Sequence, residues 1–573
     1  MKIETIVPAA RWIKHYKRDT FSSDLVAALI VTVMLIPQSL AYALLAGLPA
    51  EVGIYASILP LVLYALFGSS TSLSVGPVAI ASLMTAAAVG QVSIDLAVSP
   101  VVAAITLAAL SGAMLILFGV LRLGFLANFL SHSVVSAFIS ASAIIIALSQ
   151  LRHILGISAG GDTLGELLPA LWGHVAQFNA ATLVIGLSVM ALLFLVRQKG
   201  VVFLMSLGLS EKAAKLGAKL TPVLAIVLSI IAVRWFALEQ QGVAIVGVIP
   251  EGLPKMSLPD LSIELVAALW LPALLISIIG YVESISVGRT LGGKRQERVE
   301  PDQELIGLGA ANIAASLSGG LPVTGGFSRS VVNFEAGAVT QAASIMTAAL
   351  IALVSVFLTP ALYSLPKATL AATIIIAVMG LVDLGVISKV WRVSKSEAAA
   401  ITGTMLVTLF YGVEAGVSCG ILVSIALHLY RTSKPHIAEV GLIEGSEHFR
   451  NVQRYQVITH PQILSIRVDE SLFFANAAFL ADKIYAYAFK NDEISDIILM
   501  CTAVNEIDVT ALETLEAINL QLKQQGIRFH LSEVKGPVMD MLNKSDFLQH
   551  LSGNVYLSQF DAFNAVKDRI DAH

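Results

Sequence analysis

Between Leu25 and Leu429 the chain returns repeatedly to apolar stretches of roughly 17 to 25 residues, the length a helix needs to cross about 30 Å of hydrocarbon. A bilayer interior offers no water to backbone groups, so such stretches must close their own hydrogen bonds as helices. The chain is 56 % hydrophobic and 13 % charged over 573 residues, and no single globular core accounts for so many apolar runs at so low a charge. The pattern is that of a polytopic membrane protein.

The runs divide into fourteen spans, near 24–44, 51–67, 77–90, 100–121, 133–151, 181–197, 221–237, 264–288, 303–319, 327–337, 339–359, 368–386, 396–411 and 413–430. With the N-terminus inside, one set of connections carries Arg122, then Arg197, Lys199, Lys212, Lys215 and Lys219, then Arg289, Lys294, Arg295 and Arg298, then Lys389, Arg392 and Lys395. The other set carries only Arg152, Arg234, Lys255 and Lys367. Basic residues gather in cytoplasmic connections, so both chain ends are expected in the cytoplasm. The first 20 residues hold Lys2, Arg11, Lys14, Lys17 and Arg18 but no apolar core with a cleavage site, so no removable signal is expected there. Two cysteines, Cys419 and Cys501, one in an apolar span and one in an expected strand, make no disulfide framework.

Two spans are anomalous. The third begins abruptly at Gly76-Pro77, and the tenth is short and follows Gly319, Gly320, Pro322, Gly325 and Gly326. They are seven spans apart, as expected if a seven-span unit is repeated. Interrupted spans at matching positions of two halves point to a transport site at the bilayer midplane. There a half-helix N-terminus offers an anion its unpaired N–H groups and dipole. Ordinary helix kinks are the plainer alternative.

Arg329 stands in the first turn of the tenth span, and an intramembrane cation costs about 2.5–3.5 kcal/mol on insertion scales unless it faces a cavity or a partner. It could instead snorkel or pair with Glu335. Glu283, alone in the middle of the eighth span, is the obvious titratable group, although a permanent Glu283–Arg329 ion pair would also explain it. Gln38 and Tyr42, four apart after Pro37, share one helix face and can both donate hydrogen bonds, as an anion site or as interface anchors. No metal-ligand cluster, nucleophile with a base, or phosphate loop is visible. His132, His153 and His174 are scattered at span ends, so neither an enzyme nor a cofactor is expected.

After Arg431 the composition turns polar. Residues 433–453, with Pro435, Gly441 and Gly445, read as a linker between a membrane domain at 1–432 and a small α/β domain at 454–573. Strand-like runs at 455–459, 463–468, 496–501 and 527–531 alternate there with helical runs at 475–490, 508–525 and 535–543.

The stretch PQSLAYALLAGLPAEVGIYASILPLVLYALFGSSTSLSVGP, from Pro37 to Pro77, resembles the signature of the SulP sulfate-permease family. YVESISVGRTLGG and PDQELIGLGAANIAASLSGGLPVTGGFSRSVVN resemble its eighth to tenth spans, and the C-terminal region resembles its STAS domain. The resemblance covers nearly the whole chain. It implies a membrane all-α fold of fourteen spans in two inverted seven-span repeats, divided into core and gate domains, with half-helices at spans 3 and 10 and a cytoplasmic α/β STAS domain. It further implies an anion site similar to Gln38, Tyr42, Val78, Phe327, Ser328 and Arg329, with Glu283 as the proton-coupling acid, and a homodimer joined through the gates. The expected function is proton-coupled sulfate uptake in a bacterial inner membrane. A sodium-coupled bicarbonate importer, a halide–bicarbonate exchanger and a membrane-anchored STAS scaffold are the competing readings, and sodium is the alternative coupling ion. The expected partners are a small inorganic anion, the lipid bilayer, a second copy and a cytoplasmic regulator of the STAS domain, with no nucleic acid. Phosphorylated STAS relatives read Asp-Ser-Ser-Gly where this chain has Asp508, Val509, Thr510 and Ala511, so Thr510 is expected to serve as an N-cap or first-turn contact rather than as a phosphate acceptor.

Overall fold

The computed structural model describes residues 7–572 except 130, 131, 162, 209, 212, 213, 215, 216, 219, 251, 490 and 492. Lys2, Lys212, Lys215 and Lys219, on which part of the charge pattern rests, lie outside the described residues, as does the side chain of His132. The chain forms two compact units, Met1–Ser424 and Ile425–His573.

Helical segments occupy all the expected spans of the first unit. They are α1 (Arg18–Leu45), the broken pair α2 (Ala50–Tyr55) and α3 (Leu59–Phe67), α4 (Ala79–Asp95), α5 (Pro100–Val120), α6 (His132–Leu155), α7 (Ala180–Leu195) and α8 (Thr221–Trp235). They continue as α9 (Ile263–Arg295), α10 (Pro301–Leu317), α11 (Phe327–Glu335), α12 (Ala342–Phe357), α13 (Lys367–Val378), α14 (Lys395–Tyr411) and α15 (Val413–Ser433). Among the described residues, eight helical segments are long and apolar enough to cross a bilayer, and α4, α8 and α12 are shorter apolar helices.

The helices pack as two bundles. In the first, α5 lies along α10 and α9, α3 against α10 and α12, and α1 against α11 and α12; in the second, α6 packs on α13 and α14, and α7 on α13. Close approach explains why α5 and α10 carry glycines. A Cβ on Gly112 would sit 2.9 Å from the Gly309 carbonyl oxygen, and one on Gly309 would sit 2.8 Å from the Ile116 nitrogen, so only glycine lets these backbones touch.

Two buried carboxylates fasten the loops of the first bundle. Glu304, fully buried on α10, accepts from the Tyr64 hydroxyl at 2.8 Å and the Ser69 and Ser70 N–H groups at 2.9 and 2.7 Å. Asp24, fully buried on α1, accepts from the Val339 N–H at 2.6 Å and the Thr340 hydroxyl at 2.6 Å. A buried carboxylate without such donors would be expensive, so these bonds fix the loops at 68–70 and 339–340.

The second unit holds a six-stranded sheet of order β4-β3-β5-β6-β7-β8, where β3 is Ile437–Leu442, β4 Phe449–Asn451, β5 Ile463–Val468, β6 Asp496–Met500, β7 Arg528–Ser532 and β8 Val555–Tyr556. β5 to β8 run parallel, while β3 is antiparallel to both neighbours. The segment 433–453 is therefore no linker: it supplies two strands, β3 pairing Ile437 with Val468 and Val440 with Asn451. The expected strand at 455–459 is reduced to one bridge, Leu442 to Ile458, and Cys501 stands just past the end of β6. Helices α16 (Ala477–Ala488), α17 (Val509–Gln524), α18 (Gly536–Asn543) and α19 (Gln559–Asp571) complete the unit.

Asp508 caps α17, its carboxylate accepting from the Ala511 N–H at 2.8 Å. Thr510 is the exposed second residue of that helix, so the cap expected of it belongs to Asp508. The fully buried Asp496 receives His530 Nε2–H at 3.0 Å and the Arg569 guanidinium at 2.6 Å on one oxygen, and the Ser495 hydroxyl at 2.7 Å on the other. Burial alone would raise its carboxyl, but these bonds and the Arg569 charge outweigh burial and hold it down at about 2.

Candidate functional site

The two interrupted spans meet. A two-residue ribbon, β1 (Val75–Gly76) and β2 (Thr324–Gly325), pairs antiparallel, with Val75 opposite Gly325 and Gly76 opposite Thr324. Each strand runs directly into a helix, α4 after β1 and α11 after β2, so the helices leave the ribbon in opposite directions with their N-termini near it. Their N-caps, Val78 and Gly326, make no side-chain cap bond, which leaves first-turn N–H groups available to a ligand. Pro77 stands one residue before the cap, where its missing N–H removes no helix bond.

Side chains hold the ribbon in place. Gly325 donates its N–H to Ser284 Oγ at 2.8 Å, and Ser284 donates in turn to the Gly280 carbonyl at 2.6 Å, which ties the ribbon to α9 one residue from Glu283. Ser330 on α11 accepts the Ser74 N–H at 2.9 Å and donates to the Gly326 carbonyl at 2.7 Å.

Arg329 lies at this junction. It is 2 % exposed, and neither Nη1 nor Nη2 has a hydrogen-bond partner. The guanidinium rests on two glycines: a Cβ on Gly76 would come within 2.5 Å of Nη1, and one on Gly326 within 2.9 Å of Nε. The same Gly326 Cβ would lie 3.2 Å from Val78, so Val78 borders the junction too. Tyr42, 9 % exposed on α1, feels the charges of both Arg329 and Glu283. Neither Nη of Arg329 makes a hydrogen bond to Glu283 or Glu335 among the described residues.

Glu283 and the half-exposed Phe327 line a cavity of about 500 Å³. Ser286, Arg289 and Thr290 extend its wall along α9, while Val135, Ser136 and Ile139 on α6 and Leu381 form the facing wall. The cavity therefore lies between the two bundles, with Arg289 of α9 on its wall. Ser328 is exposed next to Phe327, and Gln38 is half-buried one helical turn before Tyr42. The structure thus brings Tyr42, Val78, Glu283, Phe327 and Arg329 near the ribbon, while no contact there is shown for Gln38 or Ser328. Sequence reasoning missed Ser284 and Ser330, whose hydroxyls position the ribbon, and the latches Asp24 and Glu304. The available signal for the two latches was an acid at the end of an apolar span.

Residues 21–404 match the sulfate permease family and residues 454–562 match the STAS domain. The chain belongs to the sulfate permease family. It is 35 % identical to the sulfate transporter 4.1, chloroplastic, of Arabidopsis thaliana over 92 % of this chain and 78 % of that protein. It is 32 % identical to a probable sulfate transporter of Mycobacterium tuberculosis over 98 % of each chain. These relatives are named as transporters, not enzymes. Among solved structures, murine solute carrier 26 family member A9, an anion transporter described in an inward-facing state, superimposes with a TM-score of 0.86 at 23 % identity over 98 % of this chain and 94 % of that one. The transmembrane domain of the cyanobacterium bicarbonate transporter BicA does so with 0.60 at 21 % identity, covering 72 % and 98 %. These two likenesses speak to the fold alone. The chain is accordingly a multi-pass membrane protein with a C-terminal α/β STAS domain.

Proposed function

We propose that this family member is a secondary active transporter that imports sulfate with protons, by alternating access of the first bundle against the second. Fourteen crossings, cytoplasmic ends, a bacterial cytoplasmic membrane and a homodimer belong to the same reading. The observation that carries it is the buried Arg329 guanidinium with two unpartnered nitrogens, held between two uncapped helix N-termini. A buried cation without a partner is costly, and a dianion seated there would supply hydrogen-bond acceptors and charge together. Sulfate is preferred to bicarbonate because relatives of 30 % identity and above are named sulfate transporters.

Glu283 is the proton site in this reading. It lines the cavity leading to the junction and shares an electrostatic environment with Arg329. Once protonated, it no longer competes with the anion for that cation, so proton and sulfate favour each other's binding reciprocally. One sulfate with one proton still carries a charge of −1, which an inside-negative potential opposes by about 2.3 kcal/mol per 100 mV. Two protons make the step electroneutral, and Glu283 accounts for one.

The test is uptake of labelled sulfate into proteoliposomes under separately imposed proton and sodium gradients, with competing anions. Accumulation driven by protons and competed poorly by bicarbonate is expected. Accumulation driven by sodium, or a preference for bicarbonate, would overturn the reading.

A further inference from the structure

A cavity of about 590 Å³ lies between α7 and α8 and shares no lining residue with the Glu283 cavity. α8 joins the second bundle by packing on α7 and α13. The two helices touch, yet small residues on both of them, Ala181 and Ser188 on α7 and Ser229 and Ala232 on α8, leave a slot open along their seam. Ile185, Val189 and Ala225 form its floor, where they join a buried apolar cluster of this bundle. Val184, Leu228 and Phe236 line its rim and are exposed, so the slot opens on the outer face of the bundle.

Length and polarity define what fits there. The lining runs from Ala181 to Leu192 on α7 and from Ala225 to Phe236 on α8, about 17 Å each at a rise of about 1.5 Å per residue. One leaflet of a hydrocarbon core of about 30 Å is about 15 Å deep. Exposed aromatics mark one end of the slot, Phe178 just before α7 and Trp235 and Phe236 at the end of α8, and such residues settle at the membrane–water interface. Gln241 stands on the lining at that same end, where the Asn179 side chain donates to its carbonyl at 2.7 Å. Further in, no charged side chain lines the slot among the described residues, and the Ser229 hydroxyl is spent within its own helix, donating to the Ile226 carbonyl at 2.9 Å. Water at that depth would find too few polar partners, and an empty slot would forfeit dispersion contacts along both helices. A neighbouring helix, about 10 Å across, cannot enter between two helices that touch. A single hydrocarbon chain can.

We propose that the slot between α7 and α8 binds one acyl chain of a phospholipid, with the headgroup at the Trp235–Gln241 end and the chain running one leaflet deep. The bound chain is then a packing element of the second bundle, and what covers this face is lipid rather than a second copy of the protein. The inference stands apart from the identity of the transported anion and of its coupling ion.

The experiment reconstitutes the full chain in nanodiscs of dioleoylphosphatidylglycerol, extracts it into a steroid-based detergent with no free alkyl chain, and counts retained lipid by native mass spectrometry. Wild type should retain about one lipid more per chain than Ala232→Phe or Ser188→Phe, each of which puts a ring into the slot. Matched melting temperatures keep the comparison to folded protein. A photoreactive phosphatidylglycerol with a diazirine midway along one chain needs no variant at all. Its adducts on wild type should concentrate on the slot lining rather than on the similarly exposed Leu353 of α12 and Leu422 of α15. Equal retention in wild type and both variants, or labelling spread evenly over exposed apolar residues, overturns the inference. So does a shift of Ala232→Phe from a larger assembly to single chains, which would assign this face to contact between copies.

Discussion

Arg329 in the membrane unit and Asp496 in the STAS domain are both buried charges, and their surroundings are opposite. Asp496 is surrounded by donors, with His530, Arg569 and Ser495 all within 3.0 Å. Arg329 has helix N-termini and glycine around it and no acceptor on either Nη. A buried charge whose partners lie within the fold is part of the structure. One whose partners are withheld waits for a ligand, and the fold carries its cost through the packing around it. Replacing the two should therefore break different properties.

The largest effect is expected at Arg329. Arg329→Ala should reduce sulfate uptake to background while the protein stays folded, because no internal hydrogen bond from Nη1 or Nη2 is lost. Arg329→Lys should recover little, since a compact ammonium cannot reproduce the planar guanidinium fork. Uptake in proteoliposomes together with thermal unfolding checks both halves. Normal uptake, or a collapsed fold, would break the contrast.

Asp496→Ala should do the reverse. Removing the carboxylate leaves the buried His530 and the partly exposed Arg569 without their acceptor, which should cost less than the roughly 3–5 kcal/mol of breaking a fully buried pair. Hydrogen exchange on the full chain should show β6, β7 and α19 losing protection, while the sulfate selectivity order stays as in wild type. Acid sharpens the same point. The Asp496 carboxyl is held down at about 2 in the folded state, so its stabilising contribution is complete above the ordinary aspartate range near pH 4. It fades as pH falls towards 2, and amounts to about 2 kcal/mol by linkage. In Asp496→Asn this part of the acid sensitivity should be missing.

Glu283→Gln mimics the protonated acid. It should preserve anion binding and exchange yet lose uphill uptake driven by a pH gradient, a gradient-specific loss that counterflow and accumulation assays separate. A Gln variant that accumulates sulfate as wild type does would remove Glu283 from the coupling role. The smallest expected effect is at Gly76. A Cβ there would meet Arg329 Nη1 at 2.5 Å, and because that is the tip of a flexible side chain the guanidinium should shift rather than the fold. Gly76→Ala should weaken sulfate binding about tenfold, the order of one displaced charge-assisted hydrogen bond, and lower the melting temperature modestly, because the Gly76 φ of +158° strains any side chain.

Much of this contrast was legible before the coordinates. Gly76-Pro77 and Gly325-Gly326 mark both half-helices because glycine and proline restrict where a helix can start, and Arg329 stands out as a charge among apolar residues. What the sequence left open was environment. Nothing in it shows that Gly76 faces Thr324 across a two-residue ribbon, because that pairing joins residues some 250 positions apart and is too short for an alternating pattern. The hydroxyls of Ser284 and Ser330 look like ordinary span residues until their acceptors are known. In the second unit, Gly441, Gly445 and several charges disguised β3 and the edge strand β4 as a linker, since antiparallel strands at the margin of a sheet carry a weak apolar pattern. Thr510 drew attention as the remaining hydroxyl, yet Asp508 is placed two residues earlier, where a cap must be.

The central claim is that the unpartnered Arg329 guanidinium at the ribbon is the anion site. Calorimetric titration of sulfate into purified wild type and Arg329→Ala, at equal ionic strength and with both shown to be folded, tests it most directly. The account predicts that sulfate binding is present in wild type and lost in Arg329→Ala. Wild-type affinity in the Ala variant would contradict it.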